Sequence, residues 1–159
     1  MREPRRVVES DVPTVVAMVH ELADFELAPE KCHLTEQQLR TALFAPAPAL
    51  FGHVCEVHGE IAGFALWFLN FSTWEGVHGI YLEDLYVRPA QRGRGVGALL
   101  LRTLAGEAVA NGYARLDWSV LDWNTPAIEF YKSVGAVGMD EWTGFRLTGP
   151  ALSRFAEGT

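Results

Sequence analysis

Tyr81–Leu101 reads YLEDLYVRPAQRGRGVGALLL, and the reading of this stretch decides the fold. An apolar strand runs to Val87. A short proline-containing loop follows, then a glycine cluster, then a helix starting with Ala98-Leu99-Leu100-Leu101. Gly93, Gly95 and Gly97 lack a Cβ, so the backbone there turns tightly and approaches a ligand closely. A helix start presents unpaired N–H groups and a partial positive charge, which together hold a phosphate. Arg92 and Arg94 add side-chain charge beside it.

Other glycine loops fit less well. Gly93-x-Gly95-x-x-Ala98 matches the dinucleotide fingerprint, and Asp117 lies roughly 20 residues on, where an acid meets the ribose. That fingerprint follows its strand directly, whereas Arg88–Arg92 intervenes here. The phosphate loop of NTPases ends in Gly-Lys-Ser/Thr, and this chain has no Gly-Lys pair. A merely flexible surface turn does not need so defined an exit into an apolar helix.

The chain has 159 residues, enough for one domain with a substantial core, and residues 1–159 are expected to form it. A hydrophobic share of 49% and a charged share of 21% are ordinary for a globular protein. The net charge of −7 argues against nucleic acid as a partner and favours a cationic ligand. Cys32 and Cys55 make no Cys-x-x-Cys unit and read as buried thiols of a reducing compartment. Cys32-His33 and His53-x-Cys55 lack structural zinc spacing, so no metal is expected. The basic Met1–Arg6 is followed by no apolar signal-peptide core. The longest apolar run, Ile61–Leu69, is half the ~20 residues a membrane helix needs. The expectation is a cytoplasmic protein with no membrane partner.

Along the chain, Arg5–Val8 suits a short strand. Ser10 or Asp11 caps a helix whose apolar face is Val12, Val15, Val16, Val19, Leu22 and Ala23. Thr35-x-x-Gln38 is a capping box for a second helix ending near Phe44. Leu50–His58 is a strand and His58-Gly59 a hairpin turn. Ile61–Phe71 is apolar enough to be central in a sheet. Ser72–Gly79 is a loop carrying Trp74, and Ile80–Val87 the next strand. After the glycine-loop helix, Gly112 suits its end. Tyr113–Leu121 reads as a strand. Asn124 caps a helix through Val134, with Pro126 in its first turn. Gly135–Val137 and Trp142–Leu147 read as two last strands, and Gly149–Thr159 as a polar tail. Trp67, Trp118 and Trp142 are expected in the core. The order predicts an α/β (α+β) domain with a central, mostly antiparallel mixed sheet and about four helices.

The spacing Arg92-x-x-Gly95-x-Gly97 resembles the acetyl-CoA signature of the GNAT acetyltransferases. Tyr81-Leu82-Glu83-Asp84, Ser72-Thr73-Trp74, Glu21–Glu26, Leu34-Thr35-Glu36, and Leu121-Asp122-Trp123-Asn124 with Phe130-Tyr131-Lys132 extend the likeness over nearly the whole chain. Within that superfamily the chain is similar to the diamine branch, the spermidine/spermine and thialysine acetyltransferases. The resemblance implies acetyl-CoA as cofactor, a small-molecule amine as substrate and a homodimer. It implies that the pantetheine arm lies along Leu85-Tyr86-Val87. The pyrophosphate would sit on Arg92, Gly93, Arg94, Gly95, Val96, Gly97 and Ala98, with Asn124 beside the cofactor. It implies catalytic roles for Tyr131, as the acid for the leaving thiolate, and for Glu83, relaying the amine proton. Phe25, Glu26, Trp74, Glu83, Asp84, Asp117, Trp118 and Ser119 fall at substrate positions.

An alkyl amine with a pKa near ~10.4 costs about 4.6 kcal/mol to deprotonate at pH 7, so a base is needed. Strict alternation places Glu83 with Tyr81, Leu85 and Val87, and Asp84 with Leu82 and Tyr86. A carboxylate among such neighbours is paired with an arginine or functional, and the residues alone favour neither. The resemblance favours function for Glu83, whose pKa burial would raise, and leaves Asp84 open. Ile128, Tyr131 and Val134 share a helical face, so periodicity alone makes Tyr131 a core aromatic. Glu26 alone reads as a solvated helix-end acid. Where the polyamine enzymes carry an acid two residues before the loop tryptophan, this chain has Ser72, which weakens attraction for a long polycation. A protein, peptide or antibiotic amine is the alternative acceptor. A non-catalytic acetyl-CoA-binding module is the alternative of another class.

Overall fold

The computed structural model describes residues 1 and 3–158 and divides into two compact units, Met1–Ser119 and Val120–Thr159. In the first, β1 (Arg5–Arg6), α1 (Val12–Phe25), α2 (Glu36–Phe44), β2 (Phe51–Val57), β3 (Glu60–Ser72), β4 (Val77–Val87), α3 (Val96–Ala110) and β5 (Leu116–Asp117) follow in order. The sheet runs β1-β2-β3-β4-β5, antiparallel except for β5, which pairs parallel with β4.

The long apolar run is β3, the central strand, as its composition predicts. On one sheet face, Val54, Phe64, Leu66 and Tyr86 pack with Val12, Val15, Val16 and Met18 of α1 and Leu39 and Leu43 of α2. Each such burial is worth about 1.5–3 kcal/mol. The Thr35–Gln38 capping box forms: the Gln38 N–H donates to Thr35 Oγ1 at 3.2 Å, and the Thr35 N–H to Gln38 Oε1 at 3.0 Å.

Successive strand residues face opposite ways, so His53, beside Val54, points to the other face. There it meets α3, whose Val96, Leu100, Leu101, Leu104 and Ala108 are buried. Trp67 Nε1–H donates to His53 Nδ1 at 3.1 Å, and His53 Nε2 lies 3.7 Å from Glu107 of α3. Burial lowers the His53 pKa to about 4, so the ring is neutral at pH 7. The start of α3 sits tightly on the sheet: a Cβ at Gly63 would lie 2.8 Å from the Tyr86 carbonyl and 3.0 Å from Val96.

The second unit holds α4 (Thr125–Ser133) and α5 (Gly149–Ala156). Asn124 caps α4 as expected, its Oδ1 accepting from the Ala127 N–H at 3.4 Å. The rest differs from the sequence reading. The strand expected over Tyr113–Leu121 forms only at Leu116–Asp117, and no strand forms at Gly135–Val137 or Trp142–Leu147. Trp142, expected in the core, is exposed, and Phe145 is 96% exposed. Apolar alternation marks a segment fit for a sheet, but a strand exists only where a neighbour offers backbone partners. Within the expected polar tail, Gly149–Ala156 form α5, with Pro150 in its first turn and Leu152 and Phe155 three apart on one face, while Thr159 lies outside the described residues.

Candidate active site

β4 carries an irregularity that re-aims its acids. Phe68 pairs with Tyr81, Trp67 with Leu82 and Leu66 with Asp84, so the register gains one residue at Glu83. Phe68 and Leu66 share a face, and Tyr81 and Asp84 therefore share it too. Strict alternation had separated them. Leu66 and Tyr86 belong to the core beneath α1 and α2, so Asp84 points to the side where α1 ends. Glu83, expected to be buried, is the extra residue of the bulge and is exposed. The half-buried acid is Asp84. Its pKa is pushed from the ordinary 3.8 up to about 6, first by burial, then by the charges of Glu83 and Glu26.

Glu26 follows the last residue of α1, Phe25, and burial raises its pKa as well. The helix closes with the Ala28 N–H on the Ala23 carbonyl at 3.0 Å and the Leu27 N–H on that of Asp24 at 3.1 Å. That pattern normally ends in a left-handed glycine. Here Leu27 takes the position, with φ at 62° and 79% exposure.

β4 is paired with β5 only at Ile80 and Tyr81, so the strand edge from Leu82 to Val87 has no β5 residue opposite. The Arg88 N–H donates to the Ala62 carbonyl of β3 at 2.9 Å. By alternation, Leu85 and Val87 aim their backbone groups away from β3, towards the open edge. The edge runs into the glycine loop. Gly93 and Gly95 have φ of 76° and 81°, and a Cβ at either would meet nothing within 4 Å. Gly95 precedes the 15-residue α3, whose N-terminus has no side-chain cap. Val96 is buried, whereas Arg94 is exposed. These residues fit a pyrophosphate-bearing cofactor: backbone donors at a helix start, open space above the glycines and a cation beside them. Arg92 is turned elsewhere. Its Nε donates to the Val87 carbonyl at 2.9 Å, and its guanidinium lies 4.9 Å from the Phe25 ring and 5.6 Å from that of Tyr86.

The structure thus brings Phe25, Glu26, Asp84, Tyr86 and Arg92 together. Tyr81, to which the sequence assigned no role, lies on the same strand face as Asp84 and Tyr86. Its hydroxyl is 3.1 Å from Ser119 Oγ, and its ring is 5.1 Å from that of Phe68. Tyr81 pairs in register with Asp117, whose carboxylate is neutralised by Arg115 at 2.9 Å. Trp118, next in the chain, is half-buried. Trp74 stands apart, 93% exposed at the β3–β4 hairpin tip. Seven residues of strand, roughly 23 Å, separate Val77 from Asp84. Ser72, at the position of the missing acid, is buried and accepts from the Glu75 N–H at 3.1 Å, which shapes that tip. In the second unit, Tyr131 is half-buried on α4 and burial raises its pKa, while Asn124 is engaged as the helix cap. Among the described residues no cluster of three or more His, Cys, Asp or Glu is placed to hold a metal, and no helix is long and apolar enough to cross a membrane.

A helix N-terminus opened by left-handed glycines lies beside a strand with an open edge and a half-buried acid, an arrangement that fits a phosphate-bearing ligand next to a proton acceptor. Residues 16–136 match the acetyltransferase (GNAT) family, and the chain belongs to it. Members of this family use acetyl-CoA in general. The thialysine N-epsilon-acetyltransferase of Caenorhabditis elegans is 36% identical over 146 residues, covering 90% of this chain and 89% of that protein. Its Bos taurus counterpart is 33% identical over 163 residues, covering 96% and 95%. Among solved structures, an integron cassette protein from the mobile metagenome of V. cholerae matches with a TM-score of 0.81 at 29% identity, over 98% of this chain and 97% of that one.

Proposed function

We propose that this chain transfers acetyl from acetyl-CoA to the primary amine of a short cationic molecule, a diamine or a lysine-like amine such as thialysine. The observation that carries the reading is the bulge in β4, which seats a half-buried carboxylate, Asp84, between Glu26 and Glu83 on the strand whose open edge leads to the glycine loop. Three carboxylates suit an ammonium ion. Relatives named as thialysine acetyltransferases, matched along almost their full length, support the amine class.

The cofactor supplies an acyl group activated as a thioester. The Leu85 backbone and the Val87 N–H face the open edge and would bond its amide-bearing arm, the Val87 carbonyl already accepting from Arg92 Nε, with Tyr86 on the core side of the strand. Gly93–Ala98 and Arg94 would hold its pyrophosphate, and Asn124 is assigned beside it. Phe25, Glu26 and Asp84 receive the amine, with Trp118 and Ser119 at the β5 side and Asp117 behind them. Asp84, poised near neutral pH, accepts the ammonium proton. The exposed Glu83 passes it to solvent. The Tyr131 hydroxyl, kept protonated by burial, is the acid for the departing thiolate.

The same reading includes a homodimer in the cytoplasm, with residues 1–159 acting as one domain. The family match bridges both units, and Cys32 and Cys55 are thiols. Trp74, a substrate residue by resemblance, is exposed at the hairpin tip, the far end of β4 from Asp84, which fits a pocket completed by a second chain. The test is release of CoA thiol against putrescine, spermidine, thialysine, lysine, an aminoglycoside and a lysine peptide. Turnover with thialysine or putrescine exceeding that with spermidine is the expected result. Cofactor binding with no amine acetylated would instead make the chain a binding module.

A further inference from the structure

We propose that Arg88 and Arg92 strap the phosphate loop to the C-terminal turn of α1, making Arg92 a positioning residue for the amine pocket rather than a phosphate ligand. The inference rests on the amine-acetyltransferase reading for what the pocket holds. Its geometry stands on its own. Arg88 grips Glu21 with two bonds, Nη2 to Oε1 at 3.0 Å and Nε to Oε2 at 3.2 Å. Arg92 lies over Phe25 at 4.9 Å. Glu21 and Phe25 are four apart on α1 and so share one face. The two arginines are also four apart, and they bracket the single 3-10 turn Pro89–Gln91 that leads into the glycines. That turn is closed by the Gln91 N–H on the Arg88 carbonyl at 2.8 Å and the Arg92 N–H on that of Pro89 at 3.2 Å. Two prongs one helical turn apart fix both the position and the rotation of the α1 end against the loop.

Two further observations point the same way. Arg92 is anchored to the strand through Val87 and stacks on Tyr86, so its place is set by β4 and α1 and not by the loop interior. Arg94, exposed two residues on, is the guanidinium left for phosphate. The turn held by the strap is also strained. Leu27 sits at a φ of 62°, a left-handed conformation where glycine is usual and a Cβ is crowded. Such a conformation persists only where its surroundings over-determine it. When phosphate settles on Gly93–Ala98, the strap transmits that ordering to Phe25 and Glu26, two residues that face the amine. Cofactor and amine then bind with positive coupling, and by linkage each strengthens the other.

The test is hydrogen exchange of the amides of residues 26–28 with and without saturating CoA, alongside CoA titrations. Wild type, Glu21→Gln and Arg92→Lys are compared, with exchange within α3 as a control for folding. In wild type CoA should slow these amides by ~5-fold or more. Both variants should bind CoA within ~5-fold of wild type, as expected for loss of an exposed pair, yet lose most of that protection. Their amine KM should rise while kcat holds. No protection in CoA-saturated wild type overturns the strap. So does an Arg92→Lys protein with tenfold weaker CoA binding whose protection still returns at saturation, because Arg92 would then be a phosphate ligand. Protection in wild type with no amine acetylated leaves the strap standing and removes the amine reading instead.

Discussion

Tyr131 and Asp84 show what a residue's surroundings do to its chemistry. Burial raises the Tyr131 pKa, which keeps the phenol protonated at neutral pH, the state needed to give a proton to a thiolate. Tyr131→Phe should lower kcat by about 10² with little change in CoA affinity, read by steady-state kinetics and direct titration. Unchanged turnover would return Tyr131 to the role of a packed aromatic. The β4 acids were only partly legible in the sequence. Tyr-Leu-Glu-Asp marked the right strand, but alternation assigns faces on the premise of an unbroken register. The extra residue at Glu83 breaks that premise: Glu83 is exposed, and Asp84 keeps the face of Tyr86 but shares it with Tyr81 instead of Leu82. No residue type in the stretch signals the bulge, since it arises from how β3 and β4 pair. Arg92 was legible as a motif residue but not as a partner of Phe25, which lies far away in sequence.

At the scale of elements, the face of the sheet under α3 carries a pH dependence of its own. His53 has a pKa of about 4 in the folded chain against an ordinary 6.5, lowered chiefly by burial, and then by Arg6. Below 6.5 the unfolded chain binds a proton that the folded chain refuses. Stability is therefore fully present above 6.5 and is lost as pH falls towards about 4. Between pH 7 and 4.5 the loss should be ~2 kcal/mol, read from urea midpoints, and His53→Gln should remove most of it. Asp84 acts in the opposite sense, and the comparison with the variant cancels it. An equal slope in both proteins would place the titration elsewhere. Elements with local signals were readable: the Thr35 and Asn124 caps, the apolar run of β3 and the left-handed Gly112 after α3. Gly135–Val137 and Trp142–Leu147 were not, because their alternation says what a strand would bury and nothing about which edge would accept it.

Over the whole molecule, the family match spans residues 16–136, and relatives of similar length are named for an amine substrate. In the proposed reading, what separates a catalyst from an acetyl-CoA-binding module is the acid on β4, beside the open strand edge. The net charge of −7 favours cations in general, and the proposed site is narrower than that. It concentrates Glu26, Glu83 and Asp84 where α1 ends, while Asp117 is neutralised by Arg115 and Ser72 adds no charge at the hairpin tip. That distribution suits a short amine better than an extended polycation. The decisive measurement is the pH profile of kcat/KM for thialysine or putrescine in wild type and Asp84→Asn. Wild type should gain activity as pH rises through about 6, where Asp84 loses its proton. The variant should fall by about 10² or more and lose that limb. Identical profiles in the two proteins would contradict the account and move the proton acceptor off β4.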